Sequence, residues 1–178
     1  MKKTTKTVCT ALLSGIVLCG CSPAESSASF VPESSVGMEN PWKETKDLEE
    51  AVKGSGIEFD PPEENPVPDA ENPIAFFEYM YMDGVISVLY EGVDDEMIVR
   101  KSNVYEGKEA LAGDYNTYSK IWEENYKGLN VTCEGNGKLI SCAYFSSGDM
   151  HYSITFDPGE EDRGLTADQL GSIIMSMQ

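Results

Sequence analysis

The sequence is poor in basic residues and in histidine. It holds 13 lysines and arginines against 31 aspartates and glutamates, a formal net charge of −18, and His151 is its only histidine. Proteins that bind nucleic acid neutralise phosphates with Lys and Arg, and those that lie flat on anionic membranes also use basic residues. The composition therefore argues against both modes of binding. An acidic surface favours solubility, and a cation-binding surface is the alternative interpretation.

Signatures of catalysis and of metal binding are equally scarce. No serine stands in a GxSxG motif, and there is no glycine-rich phosphate loop or dinucleotide fingerprint. The spacing of His151 from Cys133 and Cys142 matches no zinc-ligand pattern. The acidic clusters at residues 94–96 and 160–162 lack the ligand spacing of an EF-hand loop. We therefore predict no cofactor, no metal and no catalytic residue, with His151 a solvated strand residue.

The chain also lacks an apolar run of the roughly 20 residues that a transmembrane helix needs. A shorter run, residues 8–18, follows three lysines near the N-terminus. Positive charge followed by a short apolar core is typical of a secretory signal. The segment Leu18-Cys19-Gly20-Cys21 that ends it has the form of a bacterial lipobox, so we predict Cys21 as the lipid acceptor. The alternative is an ordinary signal peptide with a chance cysteine.

This prediction divides the chain into a signal peptide at residues 1–20, a flexible tether at 21–39 and a single domain at 40–178. Removing the signal takes three lysines and no acid, so the mature chain carries 10 basic and 31 acidic residues, a net charge of about −21. A diacylglyceryl group on Cys21 supplies the two chains that stable anchoring requires. We expect the protein on the outer face of the cytoplasmic membrane, with that membrane and an unknown envelope or extracellular ligand as its partners.

A β-hairpin is the clearest structural signal of the domain. Asp83-Gly84 is a preferred dipeptide for a type I′ turn, and it lies between two strand-like runs within residues 74–91. With that turn, Met82 pairs with Val85, and one face of the hairpin becomes wholly apolar or aromatic. Its members are Phe77, Tyr79, Tyr81, Ile86, Val88 and Tyr90. We interpret this stripe as core packing, with an aromatic platform for a ligand as the alternative.

One amphipathic helix is predicted at each end of the domain. In the first, Thr45 is the expected N-cap and Gly54 the expected left-handed terminal glycine. In the second, Thr166 and Gln169 form a capping box. Apolar residues follow both caps at helical spacing: Leu48, Ala51 and Val52 in the first helix, and Leu170, Ile173, Ile174 and Met177 in the second.

The stretches between these signals predict shorter elements. Residues 57–59 alternate as a brief strand, and the proline-rich residues 60–73 form an extended loop, because proline disrupts both helices and central strands. Residues 97–101 read as a further strand. The polar, glycine-punctuated residues 102–114 read as a loop.

The remaining segment completes the sheet. Residues 115–126 fit both helical and strand spacing, and their aromatic content favours a strand. Residues 129–157 predict a meander of three strands with turns at Asn136-Gly137 and residues 146–149. The predicted fold is α+β: an antiparallel meander sheet of about six strands, with both helices packed on it.

Two cysteines remain in the domain. With Asn136-Gly137 as a two-residue turn, Cys133 lies opposite Ile140 and Cys142 opposite Val131, so the cysteines share a face diagonally. Diagonal Cα atoms are roughly 7 Å apart, at the limit of a disulfide, and an extracytoplasmic location permits oxidation. A disulfide between Cys133 and Cys142 is one possibility, and two small buried thiols are the other.

Six segments carry a resemblance to known proteins: NPWKETKDLEEAVKGSGIEFDPP, DGVISVLYEG, MIVRKS, GDYNTYSK, CEGNG and GLTADQLGSII. On these segments, which span most of residues 40–178, the chain resembles small uncharacterised lipoproteins of Gram-positive gut bacteria that carry an extracytoplasmic domain of unknown function. The resemblance implies a helix, an antiparallel meander and a closing helix. It implies no site residue.

Three functional hypotheses follow from these features. The first is a membrane-anchored, non-catalytic module that binds or senses a component of the cell envelope. The second is a carboxylate-dependent hydrolase of envelope or environmental glycans, since paired acids hydrolyse glycosides. The third is a structural or accessory envelope protein. Cys21 is the residue to which the sequence itself assigns chemistry.

Overall fold

The computed structural model describes residues 40–67, 73–158 and 163–177, all within one compact unit, Glu39–Gln178. The predicted signal peptide, Cys21 and the tether lie outside the described residues. Within the described ranges, no helix is long and apolar enough to cross a membrane.

In the residues that the structure describes, the fold is an eight-stranded antiparallel sheet with two α-helices, which confirms the predicted α+β class and corrects the predicted count of about six strands. The strands are β1 Lys43–Thr45, β2 Ala75–Met82, β3 Val85–Glu91, β4 Asp95–Ser102, β5 Lys120–Tyr126, β6 Leu129–Gly135, β7 Ile140–Ser147 and β8 Met150–Pro158. Helix α1 is Leu48–Ser55, helix α2 is Ala167–Ser176, and a π-helix spans Gly107–Ala112. Strand β1 escaped prediction because three residues are too few to show alternation.

Because of the order of the strands, one connection crosses the sheet. The spatial order is β1-β2-β3-β4-β8-β7-β6-β5. Consecutive strands are neighbours in the sheet except β4 and β5, which are separated by β8, β7 and β6. Residues 103–119, called the crossing segment below, therefore run over one face of the sheet to reach its far edge.

Both α-helices pack on the opposite face, called the core face below. The predicted hairpin register is confirmed, with Met82 opposite Val85 and Tyr81 opposite Ile86. Side chains of this face join residues of both helices and of the proline-rich stretch in one apolar cluster, which includes Ala51, Phe59, Val67, Tyr81, Ile86, Val88, Tyr90, Met97, Val99, Ile154, Leu170, Ile173 and Ile174. The aromatic stripe is thus core. Phe77 departs from it, because a β-bulge between Phe76 and Glu78 leaves Phe77 exposed.

The ends of the helices agree only in part with prediction. The Thr166–Gln169 capping box of α2 is present. For α1 the predicted caps are wrong: Asp47 is the N-cap, and Gly56 (φ 70°) is the left-handed C-cap. Thr45 instead belongs to β1, and Gly54 faces the ring of Tyr81 with no room for a Cβ atom.

The predicted strand at residues 57–59 does not form. Ile57 and Phe59 are buried in the core cluster, but their backbone joins no sheet. Alternation of apolar residues over three positions indicates burial but does not establish a strand, because a strand also needs a partner for its backbone hydrogen bonds.

Helix α2 approaches the sheet closely at Gly171. A Cβ atom there would lie 2.7 Å from Cε1 of Tyr126. The Tyr126 ring is held in place, since its hydroxyl donates a 2.9 Å hydrogen bond to the Ala167 carbonyl of the same helix. Close packing against Tyr126 therefore requires glycine at this position, although glycine has a poor helix propensity.

We expect Gly171→Ala to destabilise the protein by about 1–3 kcal/mol, the usual cost of overpacking, although alanine favours a helix interior by about 1 kcal/mol. Urea denaturation followed by circular dichroism measures the change. The control is Ser172→Ala on the exposed side of the same helix, which should alter the midpoint little. A Gly171→Ala protein as stable as the wild type would contradict this packing.

Candidate functional site

The face of the sheet opposite the core, called the open face below, carries polar side chains at its centre. Ser87, Arg100, Ser153 and Tyr144 lie side by side across β3, β4, β8 and β7. The helices do not reach this face, and the crossing segment covers part of it. The candidate site is the space between the crossing segment and these strands.

The π-helix anchors the crossing segment to the sheet. Its Leu111 and Ala112 are buried on the open face. Gly107 (φ 72°) and Gly113 (φ 68°) flank it in the left-handed region, which glycine enters without the strain other residues meet. The sequence predicted a loop here, and the two glycines were the signal that a turned structure begins and ends at these points.

Arg100 holds the end of the π-helix. Its Nη1 donates hydrogen bonds to the carbonyls of Leu111 (3.1 Å) and Ala112. The guanidinium also lies 5.5 Å from the ring of Trp42, a cation–π distance. Burial lowers the pKa of Arg100, and the charge of Glu96 opposes that shift. The guanidinium satisfies carbonyls that the short helix leaves unpaired.

A buried ion pair fixes the π-helix at its other end. Lys108 Nζ lies 2.8 Å from Oε2 of Glu134, whose side chain is 5% exposed. The same ammonium donates to the carbonyl of Asn116 and lies 4.8 Å from the ring centroid of Tyr118. Burial lowers the pKa of Lys108, but the hydrogen bond and charge of Glu134 outweigh it, so the pKa is raised overall.

Asp114 organises the turn that follows. It is buried, and its carboxylate accepts 2.8 Å hydrogen bonds from the backbone N–H of Asn116 and the hydroxyl of Tyr118. Burial, and then the hydrogen bond to Asp114, raise the pKa of Tyr118. Asp114 and Glu134 are therefore both engaged within the protein. Sequence reasoning missed this cluster because its members come from strands and loops far apart in the chain.

The predicted arrangement of the cysteines is wrong. Cys133 pairs with Ala143 and Cys142 with Glu134, so the two cysteines lie on opposite faces of the sheet. The predicted two-residue turn at Asn136-Gly137 is a four-residue loop, because Gly135 pairs with Ile140. A bulge between Glu134 and Gly135 shifts the register by one further residue, which reverses the face of a side chain. Both thiols are free and buried.

The environment of each thiol opposes ionisation. Burial raises the pKa of Cys133 to about 12. Burial, then the charges of Asp114 and Glu134, raise that of Cys142. Because the thiolate is the nucleophilic form, neither cysteine is suited to nucleophilic catalysis.

A groove of about 980 Å³ lies between the crossing segment and strands β4 and β8. Its walls combine residues of the crossing segment with side chains of the open face and of the β6–β7 turn. They include Ile98, Arg100, Asp114, Tyr115, Asn116, Thr117, Tyr118, Ser119, Asn136, Ser141, Thr155 and Arg163. Hydroxyl and amide groups predominate in this set. A second cavity of about 380 Å³ adjoins the groove and shares residues 114–118 with it.

Two carboxylates stand at one end of the groove. Glu96 of β4 and Asp157 of β8 are directly opposite each other, and both line the groove. Burial, then the charges of Glu91 and Asp157, raise the pKa of Glu96. The neighbouring Asp95 is paired with Arg163. Within the described ranges, no group of three or more His, Cys, Asp or Glu side chains has the geometry to hold a metal ion.

His151 lies in β8, as predicted, away from the groove. Its Nδ1 is 2.8 Å from the hydroxyl of Ser146 and 3.7 Å from a carboxylate oxygen of Glu106. A serine–histidine–acid relay needs serine and acid on different ring nitrogens. Both partners here face the same nitrogen, so this trio does not form such a relay. The other predicted acidic cluster, residues 160–162, lies outside the described residues.

We expect Glu134→Gln to lower the free energy of unfolding by about 1–3 kcal/mol, because Lys108 loses the carboxylate that compensates its burial. The control is Glu109→Gln, an exposed neighbour on the π-helix, which should change stability by less than about 0.5 kcal/mol. Urea denaturation at neutral pH compares the two. Equal midpoints would contradict the buried ion pair. Since the pKa of Lys108 is raised, the loss of stability in Glu134→Gln should be present below about pH 10.4 and should fade at higher pH.

Comparison with known proteins supplies no assignment. No protein-family model, curated protein sequence or solved structure matches the chain. The function is therefore argued from the geometry of the open face and from the N-terminal sequence.

Proposed function

We propose that the protein is a lipid-anchored extracytoplasmic binding module that takes its ligand in the groove of the open face. The observation that carries this proposal is the placement of both α-helices on the core face, with a large polar groove on the other. Its volume of about 980 Å³ lies at the upper end of the ~300–1,000 Å³ usual for ligand sites.

The groups that line the groove favour binding over covalent chemistry. Arg100 and Asp114, both in the groove lining, are engaged in structural hydrogen bonds. The hydroxyls and amides that remain are donors and acceptors suited to a polar ligand. A pre-shaped surface of such groups binds without reacting.

A carboxylate-dependent hydrolase is the second candidate, and Glu96 is the observation that favours it. Its raised pKa is what a general acid requires, and the Asp157 carboxyl group stands opposite it. Glycosidases use two such carboxyl groups. Both side chains are exposed, so the water exclusion typical of a catalytic pair is missing, and binding remains the first proposal.

The anchor is tested at Cys21. We expect the full-length protein, expressed in a Gram-positive host, to fractionate with membranes and to incorporate a radiolabelled fatty acid, because two acyl chains hold a protein on a bilayer. Cys21→Ser should remove the label and the membrane association. The control is Cys19→Ser, which leaves the acceptor intact. Label that persists in Cys21→Ser would show that another residue is the acceptor.

The groove is tested by filling it. We expect fractionated cell-envelope material to raise the thermal midpoint of the full chain carrying serine at positions 9, 19 and 21. Thr155→Tyr, which puts a phenol ring on the groove floor, should abolish that shift. The matched control is Thr132→Tyr, a half-buried threonine of the open face that lies outside the groove.

Three results are informative. A shift lost only in Thr155→Tyr supports groove binding. A shift that survives in both variants, or no shift with any fraction, contradicts it and favours the accessory role. New reducing ends in the bound material, lost in Glu96→Gln, would instead support the hydrolase.

A further inference from the structure

We infer that the ligand of the groove is a neutral saccharide chain, an inference that rests on the proposed binding function. Three features of the groove lead to it: unused hydrogen-bonding groups, an exposed aromatic ring and the lack of available cations.

The first feature is the set of free hydroxyl and amide groups. Thr117, Ser141 and Thr155 line the groove, and within the described part of the chain their hydroxyls have no hydrogen-bond partner. The Asn136 side chain uses its oxygen to accept from the backbone N–H groups of Lys138 and Leu139, which leaves its NH₂ donors for a ligand. Uncharged donors and acceptors of this kind complement the hydroxyls of a sugar.

The second feature is Tyr115. Its side chain is 77% exposed, although an aromatic ring of this size is usually largely buried. It lines both the groove and the adjoining cavity, so its ring is available to a ligand in either. The C–H face of a pyranose packs on such a ring. The groove volume of about 980 Å³ favours a chain of several sugars over a single one.

The third feature is the state of the charged groups. The three cations that line the groove and the adjoining cavity are occupied: Arg100 by carbonyls, Arg163 by Asp95 and Lys108 by Glu134. The carboxylates Glu96 and Asp157 stand at one end of the groove and repel anions, and the stretch from Tyr115 to Ser119 is uncharged. An anionic ligand therefore finds no unpaired cation in the lining of either cavity. A basic peptide finds two exposed acids at one end of the groove and Glu109 in the adjoining cavity, with the uncharged stretch between them.

Titration calorimetry tests the inference with the full chain carrying serine at positions 9, 19 and 21. The probes are cellohexaose, maltohexaose and the hexamer of N-acetylglucosamine. We expect at least one to bind with an affinity that changes less than about twofold between low and high salt, because a neutral ligand has no charge to screen. Tyr115→Ala should weaken binding at least about tenfold, and Tyr115→Phe should retain it.

The matched control is Tyr105→Ala, which removes another exposed tyrosine that lines neither cavity and should bind like the parent. Equal weakening by both alanine variants would overturn the role of Tyr115 and with it the inference. Absence of binding by all three hexasaccharides would also overturn the inference. If no hexasaccharide binds but envelope material still raises the thermal midpoint and Thr155→Tyr abolishes that rise, groove binding is supported and a saccharide ligand is contradicted. Salt-sensitive binding of hexalysine in their place would identify a basic peptide as the ligand.

Discussion

The hydrogen bonds from Arg100 to the carbonyls of Leu111 and Ala112 are the interaction on which the open face depends. The strand order obliges residues 103–119 to cross the sheet, and a free segment of that length would lose entropy when it is fixed there. Arg100 at one end of the π-helix and the Lys108–Glu134 pair at the other offset that loss. The groove exists because the segment is held in this way.

The two faces of the sheet have different roles in the domain. The core face is apolar, covered by both helices and by Val67 of the proline-rich stretch, and it supplies the burial that stabilises the fold. The open face contributes little apolar burial around the groove and is free to carry hydroxyls, amides and charges. A lipid on Cys21, as proposed, would anchor the domain to the membrane.

Prediction succeeded where the deciding contacts are close in sequence. The turn at Asp83-Gly84 and the capping box at Thr166 each depend on residues within a few positions, and both formed as predicted. The cysteines show the opposite case, because one bulge beside Gly135 moved Cys142 to the other face. Gly135 is a local signal, since a glycine inside a strand often marks a bulge, but it does not specify the register that results. The groove was beyond prediction, since Arg100, Tyr115 and Thr155 meet only when β8 lies beside β4.

The sequence by itself determined the α+β class, the hairpin and the cap of α2, and it carries the proposed lipid-acceptor motif at Cys21. These follow from periodicity, turn chemistry and short motifs, which act over a few residues. Tertiary structure alone decided which face stays open, how the crossing segment is held and which side chains line the groove. The physical reason is the long connection from β4 to β5: its course depends on the order of strands that are distant in the chain, and local sequence does not encode that order.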